Sequence, residues 1–222
     1  MYDFHTHTSL SDGELSPIEM IRRASHKGYR GIALTDHVGI GSLERLIRET
    51  VEDCRIAREY WDIAAIPGVE LTHLPGHAIA EAAKRAKDLG AWIVVVHGET
   101  IVEPVEKGTN LAAVQSPDVD ILAHPGLMTM DEARLAAKNG TFIEVSARKG
   151  HCLTNGHVVK VAVAAGCKLL LDSDAHGSAD LLTPELAIAI LRGSGLSERE
   201  SKRVVVTSPQ SLLKKLPLTT SG

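Results

Sequence analysis

Aromatic residues are scarce in this chain: two Trp, three Tyr and two Phe make up 3% of 222 residues. An interior must therefore be filled by aliphatic side chains. Only three cysteines occur, Cys54, Cys152 and Cys167, an odd number at wide spacing. That excludes a disulfide framework and a zinc-finger pattern, and reads as buried thiols of a cytoplasmic protein. No apolar run is long enough to span a bilayer. The first residues, MYDFHTHTSLSDGE, are acidic and His-rich, unlike a signal or transit peptide. With 24 Lys and Arg against 28 Asp and Glu, the net charge of −4 gives no global attraction to nucleic acid or to a membrane surface. No phosphate-binding Gly-rich loop motif, low-complexity linker or internal repeat is present.

The chain does have length, aliphatic content and histidine. At 222 residues folding buries roughly 70% of the unfolded surface, enough for one domain without covalent staples. One domain is expected over 1–216, with a flexible tail at 217–222. Seven short apolar runs can be read: YDFH (2–5), GIALTD (31–36), AAIPGVEL (64–71), AWIVVVH (91–97), VDILAH (119–124), TFIEVS (141–146) and KLLLDSD (168–174). Their near-continuous Ile, Val, Leu and Ala suit parallel strands covered on both faces. Amphipathic stretches lie between them. One opens at Ser16-Pro17 with Ser16 as N-cap and Glu19 at the third position, a capping-box spacing. Others cover 42–60, 77–89, 129–139, 155–165 and 183–192. Gly28, Gly90, Gly140 and Gly166 sit where left-handed helix stops belong. Alternating strands and helices give a parallel α/β sheet, either doubly wound or closed into a barrel.

Eleven residues are His, and most fall at the ends of the runs, as do several carboxylates. His5 and His7 end the first run, and Asp12 follows in Ser-Asp-Gly. His37 follows the second, Glu70 ends the third, His97 the fourth, His124 the fifth and Asp174 the seventh, with His176 just beyond it. Six strand ends thus contribute nine ligand-type residues. The C-terminal strand ends of a barrel hold its active site, so this distribution favours a closed ring. Strand parity allows His5 and His7 to share the inner side, as it does Asp172, Asp174 and His176. Asp36 and His37 have opposite parity, and His37 is chosen as the inward one. Imidazole mixed with carboxylate suits zinc, manganese or iron, and nine donors exceed one tetrahedral set.

These motifs resemble the PHP (polymerase and histidinol phosphatase) family of metal-dependent phosphoesterases. The carrying residues are His-Thr-His (5–7), Ser-Asp-Gly (11–13), Thr-Asp-His (35–37), Gly-Val-Glu (68–70), Val-His (96–97), Ala-His-Pro (123–125) and Asp-Ala-His (174–176). The resemblance implies a distorted seven-stranded β/α barrel and two or three divalent ions (Zn, Mn or Fe). By the family pattern His5, His7, Glu70 and Asp174 hold one ion. Glu70 bridges to a second with His97 and His124, and Asp12, His37 and His176 hold a third. Catalytic duty falls to Glu70, Asp174 and His176. The implied reaction is hydrolysis of a small phosphate monoester, resembling histidinol phosphate, by metal-activated hydroxide. A nucleotide or oligonucleotide diester ranks second. A metal-dependent amidohydrolase and a metal-free scaffold, as in RNA-processing assemblies, are the remaining alternatives. The oligomeric state is not encoded legibly.

The sixth run ends in cations instead of ligands. Arg148, Lys149 and His151 are assigned to the substrate phosphate, with Lys107 a weaker candidate. His73 and His77, in the loop after Glu70, are weighed as substrate contacts against a solvated loop. Glu99 and Glu103 are weighed as partners of His97 or proton donors against surface charge. His26 is assigned only to a helix end.

Overall fold

All seven runs form strands in the computed structural model, which describes residues 1–218. They are β1 (Tyr2–Asp3), β2 (Gly31–Leu34), β3 (His37–Val38), β4 (Ala64–Leu71), β5 (Ile93–His97), β6 (Ile121–Ala123), β7 (Phe142–Ser146) and β8 (Leu169–Asp172). The second run yields two strands because it breaks at Thr35–Asp36. β2 and β3 pair with β4 in one register, Leu34 opposite Pro67 and His37 opposite Glu70, so together they fill one place in the ring. At the break, the buried Asp36 carboxylate accepts hydrogen bonds from the Thr8 amide (2.6 Å), the Thr8 hydroxyl (2.8 Å) and the Ser11 hydroxyl (2.7 Å). Asp36 anchors the loop that carries Asp12 and leaves His37 free to face the centre.

Every pairing is parallel and spatial order follows chain order. A doubly wound sheet would reverse its order at a switch point, and this one does not. The ring closes between its first and last strands. Thr6 bridges Ala175, the His7 amide donates to the Ala175 carbonyl (2.8 Å), and the Phe4 amide donates to Asp172 Oδ1 (2.7 Å). The fold is a nearly closed, distorted (β/α)7 barrel.

Strand parity divides the core. On β5, Val94 and Val96 face the helices, whereas Ile93 and Val95 join an inner cluster with Phe4, Ala33, Ile66, Ile121, Ala123, Phe142 and Leu170. Along the same inner face, later positions turn polar: Glu144 and Ser146 follow Phe142, and Asp172 follows Leu170. The barrel is thus apolar at its N-terminal end and lined with carboxylate and imidazole at its C-terminal end.

The helices are α1 (Pro17–His26), α2 (Leu43–Tyr60), α3 (Ile79–Asp88), α4 (Thr109–Gln115), α5 (Met130–Asn139), α6 (Asn155–Ala165), α7 (Pro184–Gly193), α8 (Glu198–Lys202) and α9 (Ser208–Leu213). Six were expected; α4, α8 and α9 were not. Gly28, Gly90, Gly140 and Gly166 all adopt positive φ at their helix ends. Ser16 is the N-cap of α1 and Pro17 opens the helix, but the Ser16 hydroxyl caps nothing, and the Glu19 carboxylate pairs with Arg22 (2.6 Å) and Arg23 (2.8 Å). Capping boxes form instead at Thr129–Glu132 and Ser197–Glu200. Leu212 of α9 is fully buried in the inner cluster and, with Leu213 and Leu216 against it, closes the apolar end. All three cysteines are free thiols, but only Cys54 is fully buried; Cys152 and Cys167 are half-buried, a correction to the expectation of three buried thiols. Among the described residues no helix is long and apolar enough to cross a membrane. Residues 219–222 of the expected tail lie outside the described residues.

Candidate metal centre

The nine ligand-type residues converge at the C-terminal mouth of the barrel. Glu70 is central and fully buried: Oε1 lies 3.2 Å from His5 Nε2 and 3.5 Å from His124 Nε2, and Oε2 contacts His37 Nδ1. Asp174 Oδ1 lies 3.1 Å from His7 Nε2. On the outer side, Asp12 reaches His176 Nε2 (3.2 Å) and His37 Nε2 (3.7 Å). Asp12 is presented by a turn that only glycine permits, since a Cβ on Gly13 would meet the His7 carbonyl oxygen at 2.4 Å.

Of the six histidines expected as ligands, four are oriented through Nδ1. His5 Nδ1 bonds Glu144 (2.6 Å), His37 Nδ1 bonds Thr72 Oγ1 (2.8 Å), His97 Nδ1 meets the Gly98 carbonyl (3.2 Å) and His176 Nδ1 the Asp174 carbonyl (3.0 Å). Each leaves Nε2 for the centre, the outer-shell arrangement of metal-bound histidines.

The remaining assignments divide. His151 is buried, stacks on His124 with ring centroids 4.1 Å apart, and bonds Thr100 Oγ1 through Nδ1 (2.8 Å). It therefore sits among the donors: His97, His124 and His151 form one compact set. Arg148 lies over the mouth, Nη1 3.5 Å from the Asp174 carbonyl and 3.6 Å from Asp180. Lys149 is exposed and makes no polar contact with the cluster among the described residues, and Lys107, His77 and His26 are likewise exposed away from it. Glu99 is a loop brace, accepting from the Gly108 and Asn110 amides. Glu103 enters the site, 2.9 Å from His97 Nε2, and His73 lies 3.8 Å from Glu103. Eight of the eleven histidines thus gather here: 5, 7, 37, 73, 97, 124, 151 and 176.

Glu144 lies within the aliphatic sixth run and was not among the expected site residues. Its signal was present, because a carboxylate within an aliphatic strand needs a buried partner. That partner is His5.

Burial and charge set the protonation pattern. Burial works to raise the Glu70 carboxyl, but His5, His37 and His97 hold it well below the usual range. Asp174 is lowered in the same way, with burial outweighed by His5, His7 and His124. Burial pushes His97 and His151 down to about 4, the carboxylates offsetting only part of it. Both are neutral at neutral pH, the form that ligates metal.

The donors also have unmet capacity. Among the described residues, eleven buried side-chain polar atoms lack a hydrogen-bond partner, and six are His5 Nε2, both His7 nitrogens, His124 Nδ1, Glu70 Oε1 and Asp174 Oδ1. His5 Nε2 approaches Glu70 Oε1, and His7 Nε2 approaches Asp174 Oδ1, without hydrogen bonding. Four donors about 2.1 Å from one ion stand about 3.4 Å apart, and the separations of 3.1–3.9 Å around Glu70 and Asp174 match that edge. The residues fit divalent cations. Backbone strain falls here too: among the described residues, the non-glycine residues with positive φ, His73, His124 and Asp174, are all at this mouth. Each costs about 1–3 kcal/mol and persists where function requires the geometry.

Beneath the histidines, Asp3 and Asp172 are buried together. Burial raises Asp3 to about 7, and burial with the charges of Asp3 and Glu144 raises Asp172 well above the usual range. Folding therefore takes up protons here. This contribution is full below about pH 4, where the unfolded carboxylates are also protonated, and is lost as pH rises through the folded values. Asp172→Asn keeps Oδ1 for the Phe4 amide and stays neutral. In the presence of chelator, its urea midpoint should fall less between pH 5 and 8 than that of the parent; parallel curves would show that the pair is not protonated.

A family model described as PHP domain matches residues 3–177. The chain belongs to the PHP domain family. An uncharacterized protein of Methanocaldococcus jannaschii is 47% identical over 97% of this chain and 99% of its own length. A probable phosphatase of a Thermoanaerobacter species is 30% identical, covering 88% of this chain and 87% of that protein. Ribonuclease P protein component 3 of Methanosarcina mazei is 27% identical over 96% and 89%. Among solved structures, histidinol phosphate phosphatase from Lactococcus lactis, complexed with zinc, L-histidinol and phosphate, superposes with a TM-score of 0.60 at 14% identity, covering 88% of this chain and 94% of that one. At that identity the likeness establishes the shared barrel.

Proposed function

We propose that this PHP protein hydrolyses a small phosphate monoester, of the histidinol phosphate kind, at a centre of two or three divalent ions. The observation that carries this reading is the convergence of unpartnered buried imidazole and carboxylate donors beneath a single mouth arginine. The phosphatase-named relative supports the reaction class.

His5, His7 and Asp174 would hold one ion, His97, His124 and His151 a second, and Asp12, His37 and His176 a third, with Glu70 central to all three sets. When bound, such ions supply Lewis acidity and a water of lowered pKa. The chain's own groups do the rest. Glu144 accepts from His5 Nδ1 and so fixes its tautomer, while Thr72 and Thr100 hold the rings of His37 and His151 in orientation. Asp180 accepts from the His176 and Gly177 amides (both 3.0 Å) and steers Arg148 over the mouth. Arg148 then binds phosphoryl oxygens and offsets the charge that develops on them. Direct attack by water needs no protein nucleophile.

Phosphate release from a panel of monoesters, with manganese or zinc added, tests the reading. No release from any monoester alongside cleavage of a diester or oligonucleotide would overturn it in favour of a nuclease. Arg148→Ala should raise KM for a monoester about tenfold, with a smaller effect on kcat. An unchanged KM would place Arg148 outside the site.

A further inference from the structure

The loop between β5 and α4, residues 98–108, is pinned at both ends. Glu99 accepts from the Gly108 and Asn110 amides (2.9 and 3.0 Å), Asn110 Oδ1 accepts from the Glu99 amide (3.0 Å), and Asn110 Nδ2 donates to the Pro125 carbonyl (2.9 Å). Glu106 accepts from the Gly76 amide (3.1 Å). Between these staples the tip is exposed, with Ile101 and Val102 facing out beside Gly150.

Two residues of this loop act on the site. Thr100 fixes His151 through Nδ1, turning Nε2 inward. Glu103 then meets the freed nitrogens: Oε2 lies 2.9 Å from His97 Nε2 and 3.8 Å from His73 Nε2, and Oε1 lies 3.5 Å from His151 Nε2. His73, His97 and Glu103 present their donor atoms as one compact set at the rim of the centre. The side chain of Glu103 remains 39% exposed, unlike the sealed carboxylates of Glu70 and Asp174.

We propose that this loop is a lid and that Glu103 is its displaceable metal ligand. Glu103 caps the His97–His151 side of the centre when substrate is absent and yields that position to the incoming phosphate. A carboxylate and a phosphoryl group are both hard oxygen anions and compete for the same cation. Tethering gives Glu103 a high effective concentration, so the ion stays capped and retained between turnovers. A phosphate monoester carries more charge than a carboxylate and also engages Arg148, so it displaces the lid residue. The exchange forms and breaks only coordination contacts. This half of the proposal rests on the phosphate-ester reading; the capping half does not.

The test uses full-length Glu103→Gln and Glu103→Ala, both at an exposed loop position that leaves the barrel intact. Stripped proteins are titrated with Mn(II) by calorimetry. The loaded proteins are then titrated with inorganic phosphate. One metal equivalent should weaken about tenfold in both variants, with the others unchanged, and phosphate should bind the loaded Gln variant severalfold tighter than the parent. Equal metal affinities in all three proteins would overturn the capping role. Weakened metal without tighter phosphate would overturn displacement and make Glu103 a permanent ligand. Should the parent bind no phosphate at all, the substrate reading fails, and the Mn(II) titration still decides the role of Glu103.

Discussion

Glu70→Gln should abolish phosphatase activity, by about 10²–10³-fold or more in kcat, and should lower metal content by two ions per chain. Glu70 is where the three donor sets meet: one oxygen serves His5 and His124, the other contacts His37. Glutamine matches the carboxylate in size but removes its charge. It also places an amide where one buried face needs an acceptor for cations, not a donor. The fold should survive, because Glu70 lies at the mouth end of β4 and the strand's pairing uses backbone groups. Metal analysis, steady-state kinetics and a far-ultraviolet circular dichroism spectrum separate the cases. A well-folded variant that keeps its metals and its activity would show that the centre is assigned wrongly.

Leu212→Ala should destabilise the protein by about 2–5 kcal/mol. Leu212 is fully buried against Phe4, Phe142 and Leu170 and plugs the apolar end of the barrel. It lies beyond the stretch matched by the PHP model, which ends at 177. A large effect would make α9 a structural part of the barrel. Leu186 on α7, 49% exposed, serves as the control, and Leu186→Ala should cost less than about 0.5 kcal/mol. Urea unfolding followed by fluorescence and circular dichroism measures both. Equal small effects would mean that the barrel floor is closed without α9.

What the sequence revealed follows the range of its signals. Aliphatic runs at strand length, such as Ile93–Val96, encode doubly covered parallel strands, so seven strands could be read directly, while their closure into a ring followed from the donors at their ends and the family resemblance. Glycine after a helical stretch encodes a stop by conformational freedom alone, and Gly28, Gly90, Gly140 and Gly166 all adopt it. Donors at strand ends follow from parity, and their convergence could be anticipated. Features that depend on distant partners could not. Thr35 and Asp36 look like strand residues, yet Asp36 leaves the strand because Thr8 and Ser11 offer three donors. Ser16 and Glu19 have capping-box spacing, yet nearby arginines take the glutamate. His151 follows two loop cations and reads as a third, but the fold buries it on His124. Glu103 reaches His97 from a loop whose course no local periodicity records. The short helices α4, α8 and α9 lack the amphipathic length that makes a helix visible, and α8 was not expected although Ser197 and Glu200 have capping-box spacing.

The central claim is that the histidine cluster of this PHP protein is a working metal centre. Elemental analysis of protein purified without chelator, repeated after stripping and reloading with manganese or zinc and paired with phosphate release at each stage, tests it most directly. The expected result is two or three transition-metal ions per chain, with monoesterase activity lost on stripping and restored on reloading. A protein that carries no transition metal, takes none up and gains no activity on adding it would contradict the account and leave a barrel with a scaffolding role.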